Sequence, residues 1–186
     1  MRLFVALEIP QAVRENLSAL IRDLRPMAPH AHWVRAENLH VTLKFLGEAA
    51  PVKLDAIRET LSGVPGEGPI SLNYRGLGFF PDERRPRVFW AGITAGPELV
   101  RLAGEIESRL EAAAFPRERR TFSAHLTLAR FSEPGSTEKL RSAARERGTL
   151  GFGQHIAREF CLFQSELRPA GAQYIKLASF PIAAEA

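Results

Sequence analysis

Apolar residues recur along the chain with two spacings, one typical of strands and one typical of helices. The stretch 2–9 (RLFVALEI) is mostly apolar and predicts a first strand. After Pro10, the apolar residues at 13, 17, 20, 21 and 24 fall on one face of a helix, and Pro26 and Pro29 end it. Similar strand and helix patterns continue through the rest of the chain.

The later elements follow from the same two spacings. Further strands are predicted at 31–34, 39–46, 70–77, 88–93, 124–131, 160–165 and 173–180. Further helices are predicted from apolar positions 54, 57 and 61, from 99, 102, 106 and 110 after Pro97, and more weakly from 140, 143 and 144 after Pro134 and Gly135. The stretch 78–86 reads as a loop and 168–171 as the turn of a final strand pair. Together these elements predict a β-rich α+β fold in one domain, 1–186.

Two of the predicted strands carry the same tetrad of histidine, apolar residue, threonine and apolar residue. The tetrads occupy 40–43 (HVTL) and 125–128 (HLTL). With five histidines and 45% apolar residues in the chain, chance gives about 0.04 such tetrads. A strand and a helix precede each tetrad strand and a helix follows it. We therefore expect two similar lobes, related by an approximate two-fold axis, with the tetrad strands facing each other.

The residue types of the tetrads point to phosphodiester chemistry without a metal. Because residues i and i+2 of a strand share a face, His40 is expected beside Thr42, and His125 beside Thr127, on the wall of a cleft. Histidine titrates near neutral pH, so one ring can accept a proton while the other donates one. The threonine hydroxyls can orient a phosphate placed between the two imidazoles.

A cation near the phosphate would stabilise the charge on its non-bridging oxygens. Strict alternation puts Lys44 on the histidine face of the first tetrad strand and Arg130 on the opposite face of the second. Arg130 reaches the phosphate only if its strand ends or bulges near Ala129.

Charge adds a weaker indication of the partner. The net charge of +4 and the pI of about 9.7 favour an anionic partner such as RNA. Arg84, Arg85 and Arg87 form a cluster that is either an exposed loop or a phosphate contact. Aromatic residues near the tetrads can stack on bases, although most are expected in the core: they are Trp33, Phe45, Phe79, Phe80, Trp90, Phe122 and Phe131.

Several classes of protein are not indicated. The cysteine and histidine spacing does not match a zinc or di-metal site, so neither a metal nor another cofactor is expected. The single Cys161 is expected to be a small buried residue, and His30, His32 and His155 to be surface or structural residues. The sequence has no apolar run long enough for a bilayer, and its first residues meet a charge too soon for a secretory signal, which predicts a cytoplasmic protein.

The residues around both tetrads resemble the 2H phosphoesterase superfamily, which is defined by paired H-x-T-φ motifs. The resemblance is to the LigT and ThpR branch, the RNA 2′,3′-cyclic phosphodiesterases once described as 2′-5′ RNA ligases. It rests on 2–7, on 33–47, on 122–130 and on the tail at 165–167 and 171–174. Ala124 departs from the pattern, because members often have proline there.

The resemblance implies a bilobal fold of two pseudo-symmetric antiparallel-sheet lobes, with helices on the outer faces and a central cleft. It implies hydrolysis of a terminal RNA 2′,3′-cyclic phosphate, or of a small cyclic nucleotide, to a 2′-phosphate. His40 would protonate the leaving O3′ and His125 would activate water, while Thr42, Thr127 and Arg130 would hold the phosphate. A monomer is expected. The alternatives are a 2′-5′ RNA ligase running the reverse reaction and a non-catalytic RNA- or nucleotide-binding module.

Overall fold

The computed structural model describes residues 1–132, 136–169 and 171–183. Its strands are β1 Arg2–Glu8, β2 His32–Trp33, β3 His40–Glu48, β4 Ile70–Phe80, β5 Val88–Ala95, β6 His125–Arg130, β7 Gly151–Ala157, β8 Glu159–Arg168 and β9 Gly171–Pro181. Its α-helices are α1 Gln11–Leu24, α2 Leu54–Ser62, α3 Pro97–Ala112 and α4 Glu138–Glu146, and short 3₁₀ helices lie at Arg25–Met27, Ala36–Asn38 and Pro51–Lys53.

The strands form two antiparallel sheets that meet at the tetrad strands. One sheet has the order β3-β1-β8-β9 and the other the order β2-β6-β5-β4-β7. Apart from the two-residue β2, the tetrad strand stands at the same end of each sheet, and β3 contacts β6 where the sheets meet. Counted from the tetrad strands, the order of one sheet places β3 and β1 where the other places β6 and β5. An approximate two-fold axis requires this correspondence. The bilobal α+β prediction is confirmed.

The helices bury one apolar face each and join the two lobes. In α1 the buried residues are Val13, Leu17, Leu20, Ile21 and Leu24, the set predicted from their spacing. Helix α1 lies between β1 and β3 in the chain but packs against β7 of the other sheet, and α3, which connects β5 to β6, packs against β3. Each lobe therefore contributes a helix to the other, and the apolar residues of both belong to one core cluster.

The four-stranded sheet is apolar on both faces. Leu3, Val5 and Leu7 of β1 are fully buried in the main core, where a large apolar side chain stabilises the fold by about 1.5–3 kcal/mol. The alternate residues Phe4 and Ala6 point to the opposite face and join a small second cluster with Cys161 and Phe163. This second face is the one that the tetrad residues of β3 share.

The predicted elements are confirmed with three differences. The strand β4 extends to Phe80, so the prediction of a loop from residue 78 was wrong for 78–80. The strand β7 was not predicted. The predicted fourth helix starts at Glu138, whereas Pro134 and Gly135 lie outside the described residues, as does Ala170 of the predicted turn. None of the helices in the described part of the chain has the length and apolarity needed to span a bilayer.

Candidate active site

The two tetrad histidines begin matching strands and are turned to the same cleft. From His40 along β3 and from His125 along β6, burial follows one order: partly exposed, buried, partly exposed, buried, buried, exposed. The partly exposed positions are the histidines with Thr42 and Thr127, and the residues between them are fully buried. The strands β3 and β6 contact each other, Thr42 and Thr127 line one cavity, and the charge of His125 adds to the lowering of the pKa of His40. The structure therefore brings all four residues together, as the tetrads predicted.

The backbone sets the tautomer of both imidazoles in the same way. The Nδ1 atom of His40 lies 2.7 Å from the carbonyl oxygen of Asn38, and that of His125 lies 2.7 Å from the carbonyl oxygen of Ser123. Because a carbonyl can only accept, each Nδ1 must carry the proton and donate it. The other nitrogen, Nε2, is then left to exchange a proton with a substrate in the cleft.

Burial favours the neutral form of both rings. It lowers the pKa of His40 to about 4; the hydrogen bond to Asn38 opposes this shift, and the charges of Arg130, His125 and Arg14 add to it. Burial also lowers the pKa of His125, with a further lowering from Arg130. Since an anion favours the charged form of a neighbouring base, a phosphate between the rings would raise both pKa values.

A bulge in β3 reverses the expected orientation of Lys44. Val5 pairs with Lys44 and Ala6 with Thr42, so Leu43 is an extra residue in the ladder. Lys44 is consequently turned into the core and is 1% exposed. Its Nζ donates to Glu107 Oε1 of α3 at 2.5 Å and to the carbonyl oxygen of Pro116 at 2.9 Å. The prediction that Lys44 faces the phosphate was therefore wrong.

A matching bulge in β6 turns Arg130 into the cleft. Phe89 pairs with Ala129 and Trp90 with Thr127, so Leu128 is the extra residue. Leu128 and Ala129 are both fully buried, and the exposed Arg130 lines the cavity beside His40. The bulge near Ala129 that Arg130 requires is present. In the part of the chain that the structure describes, Arg130 forms no ion pair with a carboxylate, which leaves its guanidinium available to an anion.

A cavity of about 1120 Å³, the main cavity, opens on the His40 side of the cleft. Its wall beside His40 is aromatic: the ring centroid of Phe4 is 4.7 Å and that of Tyr174 is 5.2 Å from the imidazole. Phe45, which takes the cleft face because of the bulge, is 49% exposed in the same cavity. Sequence reasoning placed Phe45 near the site but missed Phe4, although the alternation of β1 puts it opposite the core. Tyr174 was seen only as part of the tail resemblance.

Aromatic rings also flank His125. The Phe80 ring packs edge-on to His125 at 5.0 Å, and Trp90 lies beside Phe80 at 5.2 Å. The indole of Trp90 lies directly over Gly78, where a Cβ atom would come within 2.2 Å of it. His125 does not line the main cavity, whereas His40, Thr42 and Thr127 do. The main cavity therefore opens at His40, whereas His125 lies outside its lining and is the less buried of the two imidazoles.

Other candidate residues lie elsewhere or have other partners. Within the described ranges, Glu8, Glu159 and Cys161 have metal-ligand atoms close together, but Lys176 already donates to Glu8 at 2.5 Å. Cys161 is fully buried, as predicted. The Nδ1 atom of His155 lies 3.0 Å from the hydroxyl of Tyr74.

The remaining predicted residues are exposed. His30 and His32 are both exposed, and His32 contacts Ser132 and lines the main cavity. Arg84 and Arg85 lie in an exposed turn, where their backbone N–H groups donate to Asp82. The reading of this arginine cluster as an exposed loop is the one that the structure favours.

Comparison with known proteins agrees with this geometry. The family model described as LigT like Phosphoesterase matches residues 7–90 and 93–174. An RNA 2′,3′-cyclic phosphodiesterase of Archaeoglobus fulgidus is 36% identical over 97% of this chain and 99% of its own. TT0787 of Thermus thermophilus covers both chains fully with a TM-score of 0.80 and 31% identity, and E. coli LigT complexed with 3′-AMP covers 97% of both with a TM-score of 0.80 and 26% identity. The chain belongs to the LigT-like phosphoesterase family.

Proposed function

We propose that this protein is an RNA 2′,3′-cyclic phosphodiesterase, which opens the terminal cyclic phosphate to a 2′-phosphate. The observation that carries the proposal is the pair of imidazoles, on strands with the same bulge, that face one cleft beside the guanidinium of Arg130. The names of the curated relatives support the same activity. The substrate is RNA with a cyclic phosphate end, and we expect the enzyme to act as a monomer in the cytoplasm.

The asymmetry of the cleft supports the assignment of acid and base. In an in-line displacement the attacking water and the leaving oxygen lie on opposite sides of phosphorus. The leaving O3′ carries a ribose and a base, which need the main cavity at His40, while the less buried His125 outside that cavity is left to the attacking water. His125 Nε2 would take the proton of the water as its oxygen bonds to phosphorus. His40 Nε2 would protonate O3′ as the P–O3′ bond breaks.

The remaining residues hold the phosphate in this mechanism. Thr42 and Thr127 would donate hydrogen bonds to its non-bridging oxygens from the two strands. Arg130 would stabilise the negative charge that grows on those oxygens in the transition state. These roles use only groups that line the main cavity.

Two other functions are less well supported. A 2′-5′ RNA ligase would use the same groups in reverse, but water at high concentration favours net hydrolysis. A non-catalytic binding module would use the same cleft, but binding alone requires no matched acid and base. Both alternatives are separated from hydrolysis by the product that forms.

The test is incubation in EDTA with a short RNA that ends in a 2′,3′-cyclic phosphate, followed by phosphorus NMR of the product. We expect a 2′-phosphate end. His40→Gln and His125→Gln should each lower turnover by about 10²–10⁴-fold, and His30→Asn, which changes an exposed histidine outside the cavity lining, should leave it unchanged. A 3′-phosphate product would overturn the substrate orientation. Full activity in either glutamine variant would overturn the mechanism, and binding without turnover would favour the binding module.

A further inference from the structure

Arginine side chains continue from the main cavity to a second, smaller cavity. The second cavity has a volume of about 320 Å³ and lies between α1 and the segment 34–36, and we call it the side cavity. Arg25 and Val34 line both cavities, so the two adjoin. Arg22, in the last turn of α1, lines the side cavity but not the main cavity. A groove therefore runs from the aromatic wall beside His40 over Arg25 to Arg22.

The charge of this groove has one sign. Among the described residues that line the two cavities there is no aspartate or glutamate, although the chain contains 21 of them. Some arginines elsewhere have carboxylate partners, as Arg101 has Glu67 at 2.5 Å. Arg22 and Arg25 are exposed and form no ion pair within the described ranges. Unpaired, exposed guanidinium groups along a groove are the arrangement that binds a phosphate backbone.

A helix-capping role explains Arg22 and Arg25 less fully. Cations near a helix C-terminus are favourable because of the helix dipole, which accounts for a basic residue in the last turn of α1. That role requires no cavity, yet both side chains line one, and Arg25 faces two. The position of the groove beside the catalytic cleft is what distinguishes binding from capping.

The size of the groove exceeds the needs of a single nucleotide. Small-molecule sites are typically about 300–1,000 Å³, and the main cavity alone is about 1120 Å³. A terminal ribose, its base and its cyclic phosphate would occupy the part near His40. The RNA chain leaves that ribose through its 5′ oxygen, so the next phosphates must lie in the remaining space.

Resting on the function proposed above, we propose that the groove over Arg25 and Arg22 binds the phosphodiester backbone of RNA upstream of the cyclic phosphate. The preferred substrate is then an oligoribonucleotide and not a cyclic mononucleotide. Apart from Ser18, the side cavity offers apolar side chains and the two arginines, and these contacts do not read base edges. The upstream sequence therefore has little effect on the rate.

The test compares one substrate pair in three proteins. The substrates are a 2′,3′-cyclic mononucleotide and a six-nucleotide RNA that ends in the same cyclic nucleotide. The proteins are the wild type, the Arg22→Gln/Arg25→Gln variant and the Arg147→Gln/Arg158→Gln variant, which has the same net charge but changes arginines outside both cavities. The kcat/KM of each protein on each substrate is measured from low to physiological salt.

We expect the wild type to prefer the hexanucleotide, with a kcat/KM that falls as salt rises. Arg22→Gln/Arg25→Gln should lower the kcat/KM on the hexanucleotide roughly fivefold, because two exposed ion contacts with its backbone are lost. The slope of log kcat/KM against log salt should become shallower by about 1.4, since each phosphate contact on a single strand accounts for about 0.7. The mononucleotide value, and both values in the control variant, should not change.

The outcomes separate this proposal from the proposed function. The groove proposal is wrong if Arg22→Gln/Arg25→Gln lowers kcat/KM equally on both substrates, or does not lower it on the hexanucleotide. If neither substrate is hydrolysed by the wild type, the proposed function fails, and the groove is tested alone by fluorescence anisotropy with a hexanucleotide that carries a 2′-phosphate end. Weaker binding only in Arg22→Gln/Arg25→Gln supports the groove in that case, and equal binding by all three proteins overturns it.

Discussion

At the scale of single residues, His40 carries a conflict between burial and its proposed role. A general acid must be protonated, yet burial between Phe4 and Tyr174 lowers the pKa of His40 to about 4. The bound phosphate resolves the conflict, because an opposite charge within about 4–6 Å raises the pKa of a base by about 1–3 units. The substrate itself would then charge the group that cleaves it.

This conflict predicts different pH profiles for kcat/KM and kcat. The profile of kcat/KM reports the free protein, in which the pKa of His40 is about 4 and that of His125 is lowered, so its bell should lie on the acid side of pH 6.5. The profile of kcat reports the complex, in which the phosphate raises both pKa values, so its bell should lie about one to three units higher. Steady-state kinetics from pH 4 to 9 in EDTA measures both profiles.

The control for these profiles is His155→Asn. Burial lowers the pKa of His155 as well, but this ring contacts Tyr74 outside the main cavity. Its replacement should leave both bells in place. Coincident bells in the wild type would show that the bound phosphate does not charge His40.

At the scale of elements, the two bulges decide which cation reaches the cleft. The tetrads predict the faces of His40 and His125 because alternation holds from each histidine to its threonine. After the threonine an extra residue reverses the alternation, which takes Lys44 into the core and brings Arg130 out. A bulge depends on the register between two strands, so the pattern of one strand does not reveal it. The sequence therefore predicted the histidines and threonines but misplaced the lysine.

The strand β7 shows a second limit of prediction from pattern. Its sequence contains two glycines, and Gln154 and Ile156 are both exposed, so the apolar alternation of a half-buried strand is missing. It forms because it pairs with β4 and packs under α1, where Asn16 donates to the carbonyl oxygen of Phe152 at 2.9 Å. Contacts between elements distant in sequence stabilise this strand, and they cannot be read from its own residues.

The buried ion pair of Lys44 and Glu107 predicts a large effect on stability. It joins β3 to α3, and Glu107 Oε1 also accepts the backbone N–H of Glu118 at 2.9 Å, close to the segment that leads to β6. The Lys44→Met substitution removes the cation that pairs with the Glu107 carboxylate. The side chain of Glu107 is only 14% exposed. Removal of one partner of a buried pair typically costs about 3–5 kcal/mol. We expect a loss of that size in the free energy of unfolding, measured by urea denaturation.

Two further variants test the cause of this loss. Lys44→Met/Glu107→Gln removes both charges and should recover much of the stability, because no buried charge is then left unpaired. Lys139→Met, an exposed lysine of α4, should change the free energy of unfolding by less than about 0.5 kcal/mol. A loss in Lys44→Met no larger than that in Lys139→Met would show that the pair contributes little.

At the scale of the whole molecule, the two tetrad strands match each other, but the side chains that they present to the cleft do not. The matched bulges place Phe45 and Arg130 at the same position of β3 and β6, and both side chains line the main cavity. One lobe therefore presents an aromatic ring where the other presents a cation. Helices exchanged between the lobes hold the two sheets together, and a single domain over 1–186 stays a prediction.

This asymmetry predicts the result of exchanging the two side chains. Arg130→Phe should lower kcat by about 10²–10³-fold, as loss of one transition-state donor does, and should weaken inhibition by inorganic phosphate. Adding Phe45→Arg returns a cation to the cleft, so inhibition by phosphate should recover. Turnover should stay low, because the new guanidinium occupies the main cavity, which the ribose and base need. Measuring the phosphate inhibition constant and kcat in both variants separates the effect of the positive charge from the effect of its position. Wild-type turnover in the exchanged protein would show that the shape of the cleft does not direct the reaction.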